Sequence, residues 1–138
     1  MTSSTTLPLA ALPKHASEAV TDGIRIRVEP SFLSSKSKPA AGRWVFGYRV
    51  VVTNESEGIV RLLSRKWSIV DADGDANAVS GEGVVGQQPL LRVGESFEYS
   101  SFAPLETSWG TMEGSFVFAR SDDSLFEARI ARFYLVSE

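Results

Sequence analysis

The chain has 138 residues, 43% hydrophobic and 22% charged, with a net charge of −3. That is the composition of one soluble domain with a single hydrophobic core, not of a disordered or fibrous chain. It contains no cysteine, which excludes disulfides, thiolate metal sites and thiol catalysis. Arg, Glu or Gly interrupts every apolar run before it reaches the ~20 residues of a membrane helix, so no membrane association is expected.

Residues 1–22 have one lysine, no arginine and a short apolar patch broken by Pro8. They read as neither a secretory signal nor a transit peptide, and are expected to form a disordered tail ahead of a domain at 23–138. The cytoplasm is the expected compartment. From Ile24 the chain alternates with period 2: Ile24, Ile26 and Val28 point inward and Arg25 and Arg27 outward. "RWVFGYRVVVTN" places Trp44, Phe46, Tyr48, Val50 and Val52 on one face. The turn cluster Asn54–Gly58 and the long strand "IVRLLSRKWSIVD" follow, which predicts a hairpin between these two strands. Asp71–Gly74 is a turn, followed by the glycine-rich "VSGEGVVGQQP". "SFEYSS" is a short strand, and "TMEGSFVFAR" puts Met112, Gly114, Phe116 and Phe118 on one face. The last strand alternates through Phe126, Ala128 and Ile130 and resumes at Phe133 and Leu135, a change of phase that predicts a bulge at Ala131 and Arg132. About seven antiparallel strands with turns between them predict an all-β sandwich, immunoglobulin- or fibronectin-III-like in architecture.

Charge is unevenly spread. Residues 24–66 hold nine Lys/Arg against three Asp/Glu, whereas residues 67–138 hold four against twelve. In interleaved strands this predicts cross-strand ion pairs rather than a nucleic-acid surface. The arginines at 25, 27, 49 and 61 would otherwise form a basic stripe, but with a pI near 5.2 and no interleaved exposed aromatics, nucleic acid is not an expected partner.

The ordered blocks "LLSRKWSIVDADG", "GEGVVGQQPLLRVGESFEYSS", "LETSWGTMEGSF" and "RIARFYL" resemble the bacterial ApaG family over roughly residues 23–136. The resemblance implies a fibronectin-III-like sandwich of undefined activity. The family is linked to cobalt resistance and magnesium efflux, and is commonly encoded beside a diadenosine tetraphosphate hydrolase and an rRNA dimethyltransferase. In eukaryotes its domain is fused to an F-box protein and to a polymerase-delta-interacting protein, where it serves as an interaction module. The chain departs from the family pattern at two places. Lys66 stands where the family usually has a histidine before the tryptophan, so no metal or proton-transfer role carries over. Ser108 replaces a turn proline.

Three groups of residues are candidates for function. Gly81, Gly83 and Gly86 have the spacing of a dinucleotide loop, but Gln87, Gln88 and Pro89 follow instead of a helix, and the fingerprint needs a helix N-terminus to hold a pyrophosphate. Glycines turning the chain tightly between two sheets is the structural expectation. A backbone nest assisted by Arg65 or Arg92, binding a pyrophosphate-containing anion, is the alternative. Asp71, Asp73 and Asp75, with Glu82 eleven positions after Asp71, partly mimic a calcium loop. However, Ala76 stands where that loop needs glycine, so a turn is expected and a divalent-ion site is a weak candidate. Trp109, between Ser108 and Gly110 in a turn, is either a protein contact or a lid over the core. The only histidine, His15, falls in the expected tail away from the core, which leaves no base for a nucleophile in the domain. The expected function is therefore a non-enzymatic, protein-binding module without a cofactor, with an undetermined partner and oligomeric state.

Overall fold

The computed structural model describes residues 12–138. Nine strands run in order: β1 (Ser17–Thr21), β2 (Ile24–Phe32), β3 (Trp44–Asn54), β4 (Val60–Asp71), β5 (Ala76–Glu82), β6 (Leu90–Leu91), β7 (Ser96–Leu105), β8 (Trp109–Arg120) and β9 (Leu125–Val136). They form two antiparallel sheets, ordered β1-β2-β3-β7 and β5-β4-β8-β9, with β6 also paired to β4. The inward residues follow the period-2 pattern. Ile24, Ile26 and Val28 of β2 and Phe46, Val50 and Val52 of β3 meet Leu62, Phe116, Phe118, Ile130, Phe133 and Leu135 of the facing sheet, all buried. Trp67 lies at the centre, edge-on to Tyr48, Phe116 and Phe133 at centroid distances of 5.4, 6.2 and 5.9 Å. Aromatic pairs in this geometry add to simple burial.

The bulge in β9 lies where the phase change predicts it. Met112 pairs with Phe133 and Gly114 with Ile130, so two steps on β8 face three on β9. Ala131 and Arg132 absorb the extra residue, and the buried Ser17 hydroxyl donates to the carbonyl of Ala131 at 2.7 Å.

Three expectations are corrected. β3 does not form a hairpin with β4: it pairs with β2 and β7, while β4 belongs to the other sheet. Residues 55–59 therefore cross between sheets, and turn residues carry no record of which sheet the chain enters next. The glycine-rich stretch does not connect the sheets. It leaves β5 and returns as β6, and both pair with β4. The expected tail also overlaps the domain, because β1 pairs with β2 from Ser17 to Thr21. The strand count rises above seven through β1 and the two-residue β6. Residues 1–11 of the expected tail lie outside the described residues.

β1 seals one flank of the sandwich against β9. The Tyr134 amide donates to the His15 carbonyl at 3.0 Å, and the Arg129 amide donates to the Thr21 hydroxyl at 3.1 Å. His15 thus lies in the folded domain, contrary to expectation, with its Nε2 buried and unpartnered among the described residues. On the opposite flank, β7 and β5 are the outer strands of the two sheets, and that side is open.

The uneven charge resolves into cross-strand pairs. Glu18 contacts Arg25 and Arg27, Arg27 contacts Glu29, Glu29 contacts Arg49, and Arg49 contacts Glu98, a ladder running from β1 to β7. Lys66 joins Glu127 in the other sheet. Each such exposed pair stabilises by at most about 1 kcal/mol, but together they neutralise the arginines at 25, 27 and 49. Arg61 instead donates to the carbonyl of Gln88, so the four arginines form no free basic stripe.

Candidate functional site

The three glycines of the β5–β6 segment have separate structural tasks. A Cβ on Gly81 would lie 2.9 Å from the Arg65 guanidinium stacked over it. Gly83 has φ +66, and a Cβ there would be 2.4 Å from the carbonyl of Gln87. Residues 84–87 form a tight turn in which the amides of Val84 and Gln87 donate to each other's carbonyls at 2.8 and 2.9 Å. Its central residues, Val85 and Gly86, have φ 42 and 80, as in a type I′ turn. Positive φ suits Gly86, but it strains a β-branched valine.

The loop is also pinned to β4. Gly83 donates to the carbonyl of Leu63, the Leu62 amide donates to the carbonyl of Pro89, and the Gln88 side chain donates to the carbonyl of Leu63. The amides of Gly83, Val84 and Gln87 are therefore occupied, and they do not converge as a phosphate nest requires. Arg65 is next to the loop but donates from Nη1 to the carbonyls of Glu82 and Gly83 at 2.9 and 2.8 Å. Arg92 is not brought to this place. It follows β6, which pairs with Val60 and Arg61, and it contacts Glu95. Of the expected anion site, the fold joins Arg65 to the glycines and leaves Arg92 apart.

Val84 points inward and is fully buried, which fills part of the open flank. Beside it a cleft of about 350 Å³ remains between β5 and β7, lined by Tyr48, Arg65, Trp67, Val79 and Tyr99, with Val85 and Phe102 at its lip. The sequence gives no warning of this cleft, because inward-facing Tyr48, Trp67 and Tyr99 have the periodicity of ordinary core residues. Tyr99 is 9% exposed, and its hydroxyl has no hydrogen-bond partner among the described residues. Burial pushes its ionisation well above the ordinary tyrosine value, with Tyr48 adding to the rise and Arg65 opposing it. Burial raises Tyr48 as well, against a hydrogen bond with Ser101 and the charge of Arg65.

These shifts have a measurable consequence. A tyrosine whose native pKa is raised keeps its proton when the unfolded chain has lost it. Its stabilising share is complete below the unfolded value of about 10 and is lost as pH rises from there towards the native value. Urea unfolding is expected to show stability falling above pH ~10 by up to ~1.4 kcal/mol per pH unit for each of the two tyrosines. Tyr99→Phe should flatten that fall, and an unchanged slope in the variant would contradict the assignment.

Asp71, Asp73 and Asp75 do come together, with ligand oxygens within 4.8 Å of one another. The Asp71 carboxylate already accepts the amides of Asp73 and Asp75 at 2.9 and 3.0 Å, which is the hydrogen bonding of an aspartate turn. Asp71 and Asp75 border an open hollow shared with Arg43 and Glu106.

Trp109 opens β8 and is 46% exposed, so it is not a lid. It pairs with Val136, and Thr111 pairs with Tyr134. Trp109 and Tyr134, itself 43% exposed, are thus diagonal neighbours on the outer face of the sheet. The outward position of Tyr134 depends on the bulge at Ala131 and Arg132, which restores the inward phase at Phe133.

The ApaG domain profile matches residues 34–120. Protein ApaG of Anaeromyxobacter dehalogenans strain 2CP-C is 48% identical over 120 residues, covering 87% of this chain and 94% of that protein. Protein ApaG of Brucella canis is 47% identical over 117 residues, covering 85% and 90%. The crystal structure of a Bordetella pertussis protein named ApaA superposes with a TM-score of 0.81 at 40% identity, covering 82% of this chain and 92% of that one. Among the described residues, no helix is long and apolar enough to cross a membrane.

Proposed function

Because the chain belongs to the ApaG family, we propose that it works as a non-enzymatic protein-interaction module whose contact surface is centred on Trp109. The observation that carries this reading is the pair of half-exposed aromatics, Trp109 and Tyr134, side by side on a sheet's outer face. Large aromatics with a polar tip are the side chains that anchor protein interfaces, and here the strand pairing holds them rigidly. Arg132 and Glu113, paired beside them, give the patch a polar rim of the kind that surrounds interface anchors. The module would act in the cytoplasm, within the cobalt-resistance and magnesium-efflux physiology linked to the family. The aspartate trio is its candidate for contact with a divalent ion. A nucleotide-binding role for the glycine loop is less favoured, since its amides are spent on β4 and on its own turn.

The test is affinity capture from native cytosol with the full chain and with Trp109→Ala, followed by mass spectrometry. At least one abundant prey is expected to fall by about tenfold or more in the variant, the effect of losing a hot-spot tryptophan worth at least 1.4 kcal/mol. Identical prey at identical yield would refute the assignment. The variant is half-exposed at a strand end and should unfold within a few degrees of the parent.

A further inference from the structure

The cleft on the open flank combines three features that protein interiors rarely leave together. Its walls are aromatic and aliphatic, formed by Tyr48, Trp67, Val79 and Tyr99. Tyr99, one of the lining residues, carries a hydroxyl that is more than nine-tenths buried and unpartnered among the described residues. Arg65 is the one charged residue lining the cleft among those described. It is only partly exposed, and its contacts are two backbone carbonyls rather than a carboxylate. A buried hydroxyl without a partner costs free energy, and a half-buried cation without a counter-ion favours any anion that can reach it.

Val85 adds a fourth feature. Its φ of 42 is a conformation that favours asparagine or glycine, yet a valine stands there, 53% exposed at the lip of the cleft. Strain of this kind persists where the surroundings or a ligand gain from it.

We infer that this cleft binds a small apolar carboxylate, with the acid group received by the Tyr99 hydroxyl and the Arg65 guanidinium and the hydrocarbon lying against Trp67, Val79 and Val85. The volume of about 350 Å³ is near the lower end for ligand pockets, which suits one ring or a short branched chain rather than a nucleotide. Arg65, the one charged residue lining the cleft among those described, would repel a cationic ligand. A neutral molecule of the same shape would satisfy Tyr99 but leave Arg65 unbalanced. Tyr99 would remain a protonated donor throughout the neutral range, as its burial dictates. The site is separate from the Trp109 patch on the outer face, so the two assignments stand or fall independently.

The test uses the full chain, isotope-labelled on its amide nitrogens and titrated with phenylacetate and, in parallel, with neutral phenylacetamide. Phenylacetate should give saturable amide shifts at Val85, Tyr99 and Ala103, and phenylacetamide should bind about fivefold or more weakly, in line with the loss of a charge-assisted hydrogen bond. Tyr99→Phe removes only an unpartnered hydroxyl, so its Tm should be unchanged or higher, while its affinity for phenylacetate falls about tenfold. No saturable shift at these residues, equal affinity for acid and amide, or an undiminished affinity in Tyr99→Phe would each overturn the inference. The comparison of acid with amide needs no variant and stands even if the substitution disturbs the fold.

Discussion

Asn54→Asp is expected to destabilise the protein by about 3–5 kcal/mol at neutral pH, the loss that follows when a buried charge is left uncompensated. Asn54 is fully buried and is the hinge at which the chain leaves one sheet for the other. Its Nδ2 donates to the carbonyls of Gly58 and Leu91 at 2.9 and 3.0 Å, and its Oδ1 accepts the amide and hydroxyl of Ser56 at 3.0 and 2.6 Å. Its backbone is equally engaged, the amide donating to Glu95 and the carbonyl accepting from Gly94. Aspartate keeps the acceptor half and turns the donor half into a second negative oxygen facing two carbonyl oxygens. Its native pKa must then lie above the unfolded value of about 3.9. The deficit grows as pH rises through that range and shrinks as pH falls below it, which is the reverse of an ion-paired aspartate. Urea unfolding at pH 7 and pH 4 reads both the size and the sign. A variant within 1 kcal/mol of the parent at pH 7 would show that Asn54 does not hold the crossing.

Gly114→Val is expected to cost about 3 kcal/mol or more, the upper range for forcing atoms into a packed interior. A Cβ at Gly114 would lie 2.0 Å from the carbonyl oxygen of Lys66 and 3.1 Å from the Cα of Trp67 on the adjoining strand. Neither is the end of a flexible side chain, so relief requires β4 and β8 to separate beside the β9 bulge. That would disturb the seat of Trp67 and hence its edge-on contacts with Tyr48, Phe116 and Phe133. Gly58→Ala is the matched control: nothing lies within 4 Å of a Cβ there and its φ is not positive, so its effect should stay within about 0.5 kcal/mol. At ~3 °C per kcal/mol for a chain of this size, the thermal transitions of the two variants should separate by roughly 10 °C. Equal transitions would mean that the two strands yield more readily than their backbone spacing implies.

Strand phases were legible because alternation is a local property. The inward sets of β2, β3, β8 and β9 can be read one strand at a time, and the bulge at Ala131 and Arg132 is visible as a break in one strand's rhythm. What depends on two distant segments was not legible. Asn54–Gly58 has the residues of a hairpin turn, and nothing local tells that Asn54 reaches Leu91 instead. β1 is short and half polar, with Val20 exposed, and it becomes a strand only because β2 and β9 offer it partners. The ApaG resemblance was legible in ordered blocks of residues, whereas the cleft follows from the meeting of β5 and β7, edge strands of separate sheets. The spacing of Gly81, Gly83 and Gly86 drew attention to the right region. The groups that matter beside it are Arg65, which was among the candidates, and Tyr99, which as an inward tyrosine looked like any other core residue.

The difference between the two flanks also bears on assembly. All four end strands have one strand neighbour among the described residues, but β9 is tied to the β1 segment by hydrogen bonds with His15, Ser17 and Thr21. A sandwich open on both flanks could add copies on each side and grow without limit, as edge-to-edge aggregates do. With the β1–β9 flank cross-tied, two copies meeting at the β5–β7 flank about a two-fold axis would consume each other's edges there. Self-association by strand addition would therefore terminate at a closed pair instead of propagating into a fibre.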